Sequence, residues 1–181
     1  MLRITVEGGE LFNPKTNEFI TAETQTLQLE HSLISLSKWE SKWHKPFLHS
    51  DKTNAETLDY IKCMTLNPNV DLNIYEFLSR DNIREIEEYI ADSMTATTFP
   101  EDPNQKKNRE IITSELIYYW MISYQIPVKF EKWHLNRLIT LIRVCGVKNQ
   151  APSKKKTSQR DLAARYAAMN KQRRAKYNSK G

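Results

Sequence analysis

Arg109-Glu110-Ile111-Ile112-Thr113-Ser114-Glu115-Leu116-Ile117-Tyr118-Tyr119-Trp120-Met121-Ile122-Ser123-Tyr124-Gln125, followed past Pro127 by Phe130-Glu131-Lys132-Trp133-His134-Leu135-Asn136-Arg137-Leu138-Ile139-Thr140-Leu141-Ile142-Arg143-Val144-Cys145-Gly146-Val147, carries the strongest helical periodicity in the chain. Ile112, Leu116, Tyr119-Trp120 and Ser123 recur three or four apart. Ile111, Ile117, Met121 and Ile122 widen that stripe, which predicts a helix buried on more than one side. In the second run Leu135, Leu138, Ile139, Ile142 and Cys145 form one stripe, extended by Leu141 and Val144, with Arg137 and Arg143 outside it. Pro127 breaks the helix and Gly146 is placed to stop its successor, so the expectation is an antiparallel helical hairpin, 109–125 against 130–147.

Toward the N-terminus the pattern stays helical as far back as Ser32. Residues 95–108, with Pro100 and Pro103, read as a long exposed loop. Asp81 is placed to cap a helix through Met94, with Ile83, Ile86, Tyr89 and Ile90 inward and Arg84, Glu85, Glu87 and Glu88 mostly outward. Asp71 caps a short segment to Leu78, and Thr53 with Glu56 makes a capping box for a helix over 55–65. Leu33, Leu36, Trp39 and Trp43 mark one more helix, ended near Pro46. Ahead of it the period changes to two: Leu2, Ile4 and Val6 alternate with polar residues, Asn13-Pro14-Lys15-Thr16-Asn17 signals a turn, and Phe19-Ile20 and Thr26-Leu27-Gln28-Leu29 supply further strands. The expected fold is mainly α, a helical bundle over residues 1–150 with a small N-terminal β-meander, followed by a basic, partly flexible helical tail over 151–181.

Charge separates those two parts. Residues 154–181 hold ten Lys or Arg against one acid, Asp161, a net of +9, whereas the rest has 17 bases and 21 acids, a net of −4. With only Leu162, Tyr166 and Met169 at core-like spacing, the tail helix is expected to order against a partner. Hydrophobic residues at 39% suffice for a core, and four glycines disfavour turn-rich β-sandwiches and glycine-rich nucleotide loops. Cys63 and Cys145, in apolar helical patterns, read as buried thiols of a reducing compartment. Glu7 interrupts the N-terminal residues, which therefore lack the apolar stretch of a signal peptide, and no segment approaches the roughly 20 apolar residues of a bilayer span. A soluble protein is expected.

No phosphate-binding glycine loop, dinucleotide fingerprint, H-E-x-x-H or G-x-S-x-G occurs, so catalysis and cofactors are not expected. His44 and His49, with Cys63 or Asp51, match no zinc spacing, and no metal site is assigned. His134 and Cys145 lie about 16 Å apart on one expected helix, too far for a nucleophile and base. Trp39, Trp43, Trp120 and Trp133 are read as core, and Glu85, Glu87 and Glu88 as a solvated helix face. The candidate partner-binding residues are Lys154, Lys155, Lys156, Arg165, Lys171, Arg173, Arg174 and Lys176, suited to phosphates or to an acidic protein surface. Tyr166 and Tyr177 alone offer stacking there, which argues against base-specific reading.

The run Leu29-Glu30-His31-Ser32-Leu33-Ile34-Ser35-Leu36-Ser37-Lys38-Trp39-Glu40-Ser41-Lys42-Trp43 resembles a family of tailed-phage proteins. So do Met94-Thr95-Ala96-Thr97-Thr98-Phe99, Ile117-Tyr118-Tyr119-Trp120-Met121, Lys132-Trp133-His134-Leu135-Asn136-Arg137-Leu138, and the ending around Ala168-Met169-Asn170, Arg173-Arg174 and Ser179-Lys180-Gly181. The likeness, which covers nearly the whole chain, is to tail assembly chaperones encoded between the major tail protein and the tape measure protein. It implies binding to the tape measure protein and the major tail protein in the host cytoplasm, without catalysis or cofactor, and it supplies no catalytic residue. Two further functions stay open on the residues themselves: a small nucleic-acid-binding protein acting through the basic tail, and a structural virion protein.

Overall fold

The computed structural model describes residues 1–13, 17–99, 110–149 and 159–177. In the N-terminal segment the alternation of apolar and polar side chains forms four strands, β1 (Leu2–Val6), β2 (Gly9–Asn13), β3 (Glu18–Ala22) and β4 (Gln25–Leu29). They are not a meander. β1 pairs with β4 and β2 with β3, both antiparallel, as two two-stranded sheets. Both ladders share one register, Leu2 opposite Leu29 and Gly9 opposite Ala22, so they read as a single ribbon broken locally at Glu7-Gly8 and Glu23-Thr24. Gly8 explains the break. A Cβ there would sit 2.1 Å from the Ala22 carbonyl oxygen, and the Gly8 N–H donates to Thr24 Oγ1 at 3.1 Å.

Helices follow: α1 (Leu33–Trp43), α2 (Asn54–Met64), α3 (Arg80–Ala91), α4 (Ser114–Ser123), α5 (Leu135–Asn149) and α6 (Gln159–Tyr177), with 3-10 turns at Leu72–Phe77 and Val128–Lys132. Capping sets their starts. Thr53 and Glu56 form the expected box, and Ser32 with Ser35 forms another at α1. At α3 the cap is Ser79 with Asn82, which places Asp81 in the first turn. Asp71 caps its 3-10 turn as expected. α1 ends at Trp43, ahead of Pro46, with His44 in the left-handed region at φ 53° as its C-cap.

The mainly α helical bundle is overturned by these four strands, which make the chain a mixture of helix and sheet. The core is shared between them: Ile4, Val6, Leu27 and Leu29 from the ribbon are buried with Leu33, Leu36 and Trp39 of α1, Ile61 and Met64 of α2, and Ile117 and Met121 of α4. The expected packing of 109–125 against 130–147 as a helical hairpin is not found, because α4 packs chiefly on α1. Thr113 caps α4, so Glu110 to Ile112 lie outside the helix and Arg109 outside the described residues, and Phe130 and Trp133 stack face to face around the 3-10 turn, with ring centroids 4.0 Å apart, before α5 begins. Gly146 does not stop α5, which continues to Asn149.

Two compact units divide the chain, Met1–Gly146 and Val147–Gly181. In the first, α1 is central, packing on α2, α4 and the 128–132 turn, while α3 packs on β1. Glu40 ties three segments together from a buried position: Oε1 accepts the Phe47 N–H at 2.8 Å and Oε2 the Ser114 N–H at 2.7 Å. The Trp39 indole N–H donates to the Glu56 carbonyl at 2.8 Å. In the second unit α6 is the described element.

Candidate partner-binding surfaces

The helical period that buries Ile117 and Met121 of α4 against the body turns Tyr119 and Ile122 the other way. Sequence alone assigned both to burial. They are instead 62% and 74% exposed, on a segment that begins at exposed Ile111 and ends at exposed Val128. From Leu116 to Val128 no residue is charged. Large apolar side chains grouped this way on an exposed face mark a surface built to meet another apolar surface. The helix beneath is held firmly. Thr113 accepts the Leu116 N–H, Glu40 accepts that of Ser114, and the Tyr118 hydroxyl donates to Glu131 at 2.9 Å. Burial, and then the Glu131 carboxylate, push Tyr118 up to about 12, so this tie stays protonated at neutral pH.

The basic positions Arg165, Lys171, Arg173, Arg174 and Lys176 fall within about 17 Å of helix along α6. Lys171, Arg173 and Arg174 are exposed, as are Tyr166 and Met169. Lys154, Lys155 and Lys156 lie outside the described residues. The chain order therefore joins part of the candidate set on one helix, with two apolar side chains three residues apart among the cations.

A polar group that sequence reasoning did not single out occupies the interior. His31 follows β4, and His134 bridges to Ser32 as a short antiparallel contact just before α5. Their rings stand 5.1 Å apart. His31 Nδ1 and the Tyr60 hydroxyl share a hydrogen bond at 2.5 Å, and Ser35 Oγ lies 3.4 Å from the same hydroxyl. His134 Nε2 donates to the Tyr89 carbonyl at 3.0 Å, while its Nδ1 is buried without a partner. Burial first, and the neighbouring His134 second, push His31 down to about 3 and keep it neutral. Burial likewise pushes Tyr60 upward. The hydrogen bonds of these two rings join β4, α1, α2, α3 and α5 through polar contacts at the centre of the body. No sequence signal pairs two histidines 103 positions apart.

The other residues weighed for chemistry are dispersed. His44 caps α1, His49 donates its N–H to the Pro46 carbonyl, and Cys63 lies on α2 half-buried, its thiol pushed up by burial. Cys145 is half-buried too, so neither cysteine is fully enclosed. Among the described residues no group of three or more His, Cys, Asp or Glu could hold a metal ion. Of the four tryptophans Trp39 is fully buried and the other three partly so, and Arg137 stacks over Trp133 at 4.2 Å. Glu85, Glu87 and Glu88 are exposed on α3. Among the described residues no helix is long and apolar enough to cross a membrane. No family model matches the chain, and no curated protein or solved structure matches it either.

Proposed function

We propose that the chain is a non-enzymatic tail assembly chaperone of a tailed phage, binding apolar helical segments of the tape measure protein in the host cytoplasm and passing them to tail tube subunits. The observation that carries this reading is the outer face of α4, where Tyr119 and Ile122 stand exposed, with Glu115 as the one charge a turn before them, on a helix fixed to the core from its other side. An amphipathic helix of a partner would cover such a face through residues spaced three and four apart. Release requires that the contact stay small. Two large side chains and their neighbours bury far less than the roughly 1,600 Å² of a standard permanent interface, so exchange onto tube subunits is compatible with this surface.

The resemblance of Leu29 to Trp43 and of Ile117 to Met121 to tail assembly chaperones supplies the partner's identity in this reading. A second reading, nucleic-acid binding, is favoured by the exposed Lys171, Arg173 and Arg174 of α6. One experiment separates them. The chain is used as bait in phage-infected cells, with and without nuclease, and captured proteins are identified by mass spectrometry. Nuclease-resistant recovery of the tape measure or tube protein, lost on Ile122→Asp, supports the chaperone. Capture that vanishes with nuclease, or survives Ile122→Asp unchanged, removes the α4 face from the mechanism. A permanent virion subunit would be found in purified particles.

A further inference from the structure

The ribbon beyond Gly8 projects side chains that the core does not use. Phe12 and Phe19, paired across β2 and β3 with ring centroids 5.3 Å apart, are 47% and 69% exposed, and Leu11 is 44% exposed. The outer edge of β2 is open to pairing, whereas β3 lies beside the 72–77 turn, whose Asn73 side chain donates to the Thr21 carbonyl at 3.4 Å. This arm is also acidic: residues 7–23 contain Glu7, Glu10, Glu18 and Glu23 against Lys15, a net of −3. At its root lies a cleft of about 550 Å³ lined by Glu7, Gly8, Phe77, Asp81 and Asn82 among others. Asp81 is paired with Arg84 at 2.9 Å on the surface, which leaves Glu7 to set the sign of the cleft.

A partner for such an arm must be cationic and must offer apolar contacts to two aromatic rings. The same chain carries that chemistry on α6, where Tyr166 and Met169 share one face and Lys171, Arg173 and Arg174 follow within the next two turns. The dimensions agree: about 16 Å of strand separates Phe12 from Glu7, and about 12 Å of helix separates Tyr166 from Arg174. Aromatic faces attract guanidinium groups as well as apolar ones. A nucleic acid would be repelled by the arm's carboxylates.

We propose that the acidic, aromatic-tipped arm of one copy docks the basic helix α6 of a second copy. Each copy uses two different surfaces, so the contact either closes reciprocally as a dimer or runs head to tail into rings or open chains. This goes beyond the proposed function and stands without it, because partner capture by α4 and pairing of copies use different residues.

The test follows the mass of the nuclease-treated full-length chain by sedimentation as concentration rises, at about 0.05 M and about 1 M salt, where the screening length falls to about 3 Å. Mass is expected to rise with concentration at low salt and to fall back at high salt. Two charge-reversed variants, Glu7→Lys/Glu10→Lys/Glu18→Lys and Lys171→Glu/Arg173→Glu/Arg174→Glu, are each expected to associate at least about tenfold more weakly. Their equimolar mixture is expected to regain association, because a basic arm then meets an acidic helix. Circular dichroism checks that both fold, and Phe12→Ser/Phe19→Ser gives a loss independent of charge. A chain that stays monomeric at low salt, a reversed variant that associates like wild type, or a mixture that fails to recover would each overturn the proposal.

Discussion

The two halves of the N-terminal ribbon share a register and a length yet meet opposite fates. At the base, β1 and β4 turn Ile4, Val6, Leu27 and Leu29 into the core, all but Ile4 without measurable exposure. In the arm, β2 and β3 carry Leu11, Phe12 and Phe19 into solvent. Apolar content does not separate them. What differs is the surface opposite: β1 faces α3 and the core, whereas β3 has only the 72–77 turn beside it. Strand pattern thus reports which residues share a face, and tertiary neighbours decide whether that face is buried.

That contrast can be broken at several points. The largest effect is expected at the base, where Leu27→Ala should cost about 2–5 kcal/mol in denaturant unfolding, through lost burial and the cavity left behind. Next comes the joint. Gly8→Ala brings a Cβ into the Ala22 backbone, and an expected cost of about 1–3 kcal/mol would show as a lowered unfolding midpoint. A loss below 0.5 kcal/mol would mean that the arm tilts freely and is not fixed to the base.

Acid probes the base through His31, two residues beyond β4. The unfolded chain binds a proton there near pH 6.5, whereas the native ring, buried against Tyr60, Phe47 and His134, resists protonation down to about 3. The native state therefore holds fewer protons in that window. Stability contributed by neutral His31 is fully present above the unfolded value and falls on acidification, by up to about 1.4 kcal/mol per pH unit. Glu56, held down to about 2 by Lys45 and the Thr53 N–H, contributes above 4.5 and is lost below it. His31→Gln should flatten the slope between pH 6.5 and 4.5 and leave the lower part, as read by urea unfolding across pH. The smallest effect is expected at the tip, where Phe19→Ser should change stability by less than about 0.5 kcal/mol while altering association.

Sequence made the local elements legible where one rule acted alone. The alternation of Leu2, Ile4 and Val6 marked a strand, and the Thr53 and Glu56 box marked a helix start, because each depends on neighbours within a few residues. Nesting was not legible. A meander and a nested ribbon contain the same strands, and the choice rests on how Gly8 lets two backbones approach. At α4 the abundance of apolar residues from Ile111 onward suggested an earlier start and burial all round, yet Thr113 caps the helix and Tyr119 and Ile122 remain outside. Periodicity counts apolar residues without knowing how many faces the fold can cover. The cations of α6 were legible from composition, whereas the acidic arm that complements them emerged only once β2 and β3 were seen to project from the core.

Nesting also has a kinetic consequence. Closing β1 on β4 directly joins Leu2 to Leu29 across a long loop, which costs more chain entropy than closing the short turn between β2 and β3. If the inner pair forms first, the remaining closure spans only two residues on each side, and the ribbon zips from tip to base. A tip that adds almost nothing to equilibrium stability would then govern how fast the core receives its two strands, slowing folding when loosened while leaving the unfolding rate nearly unchanged.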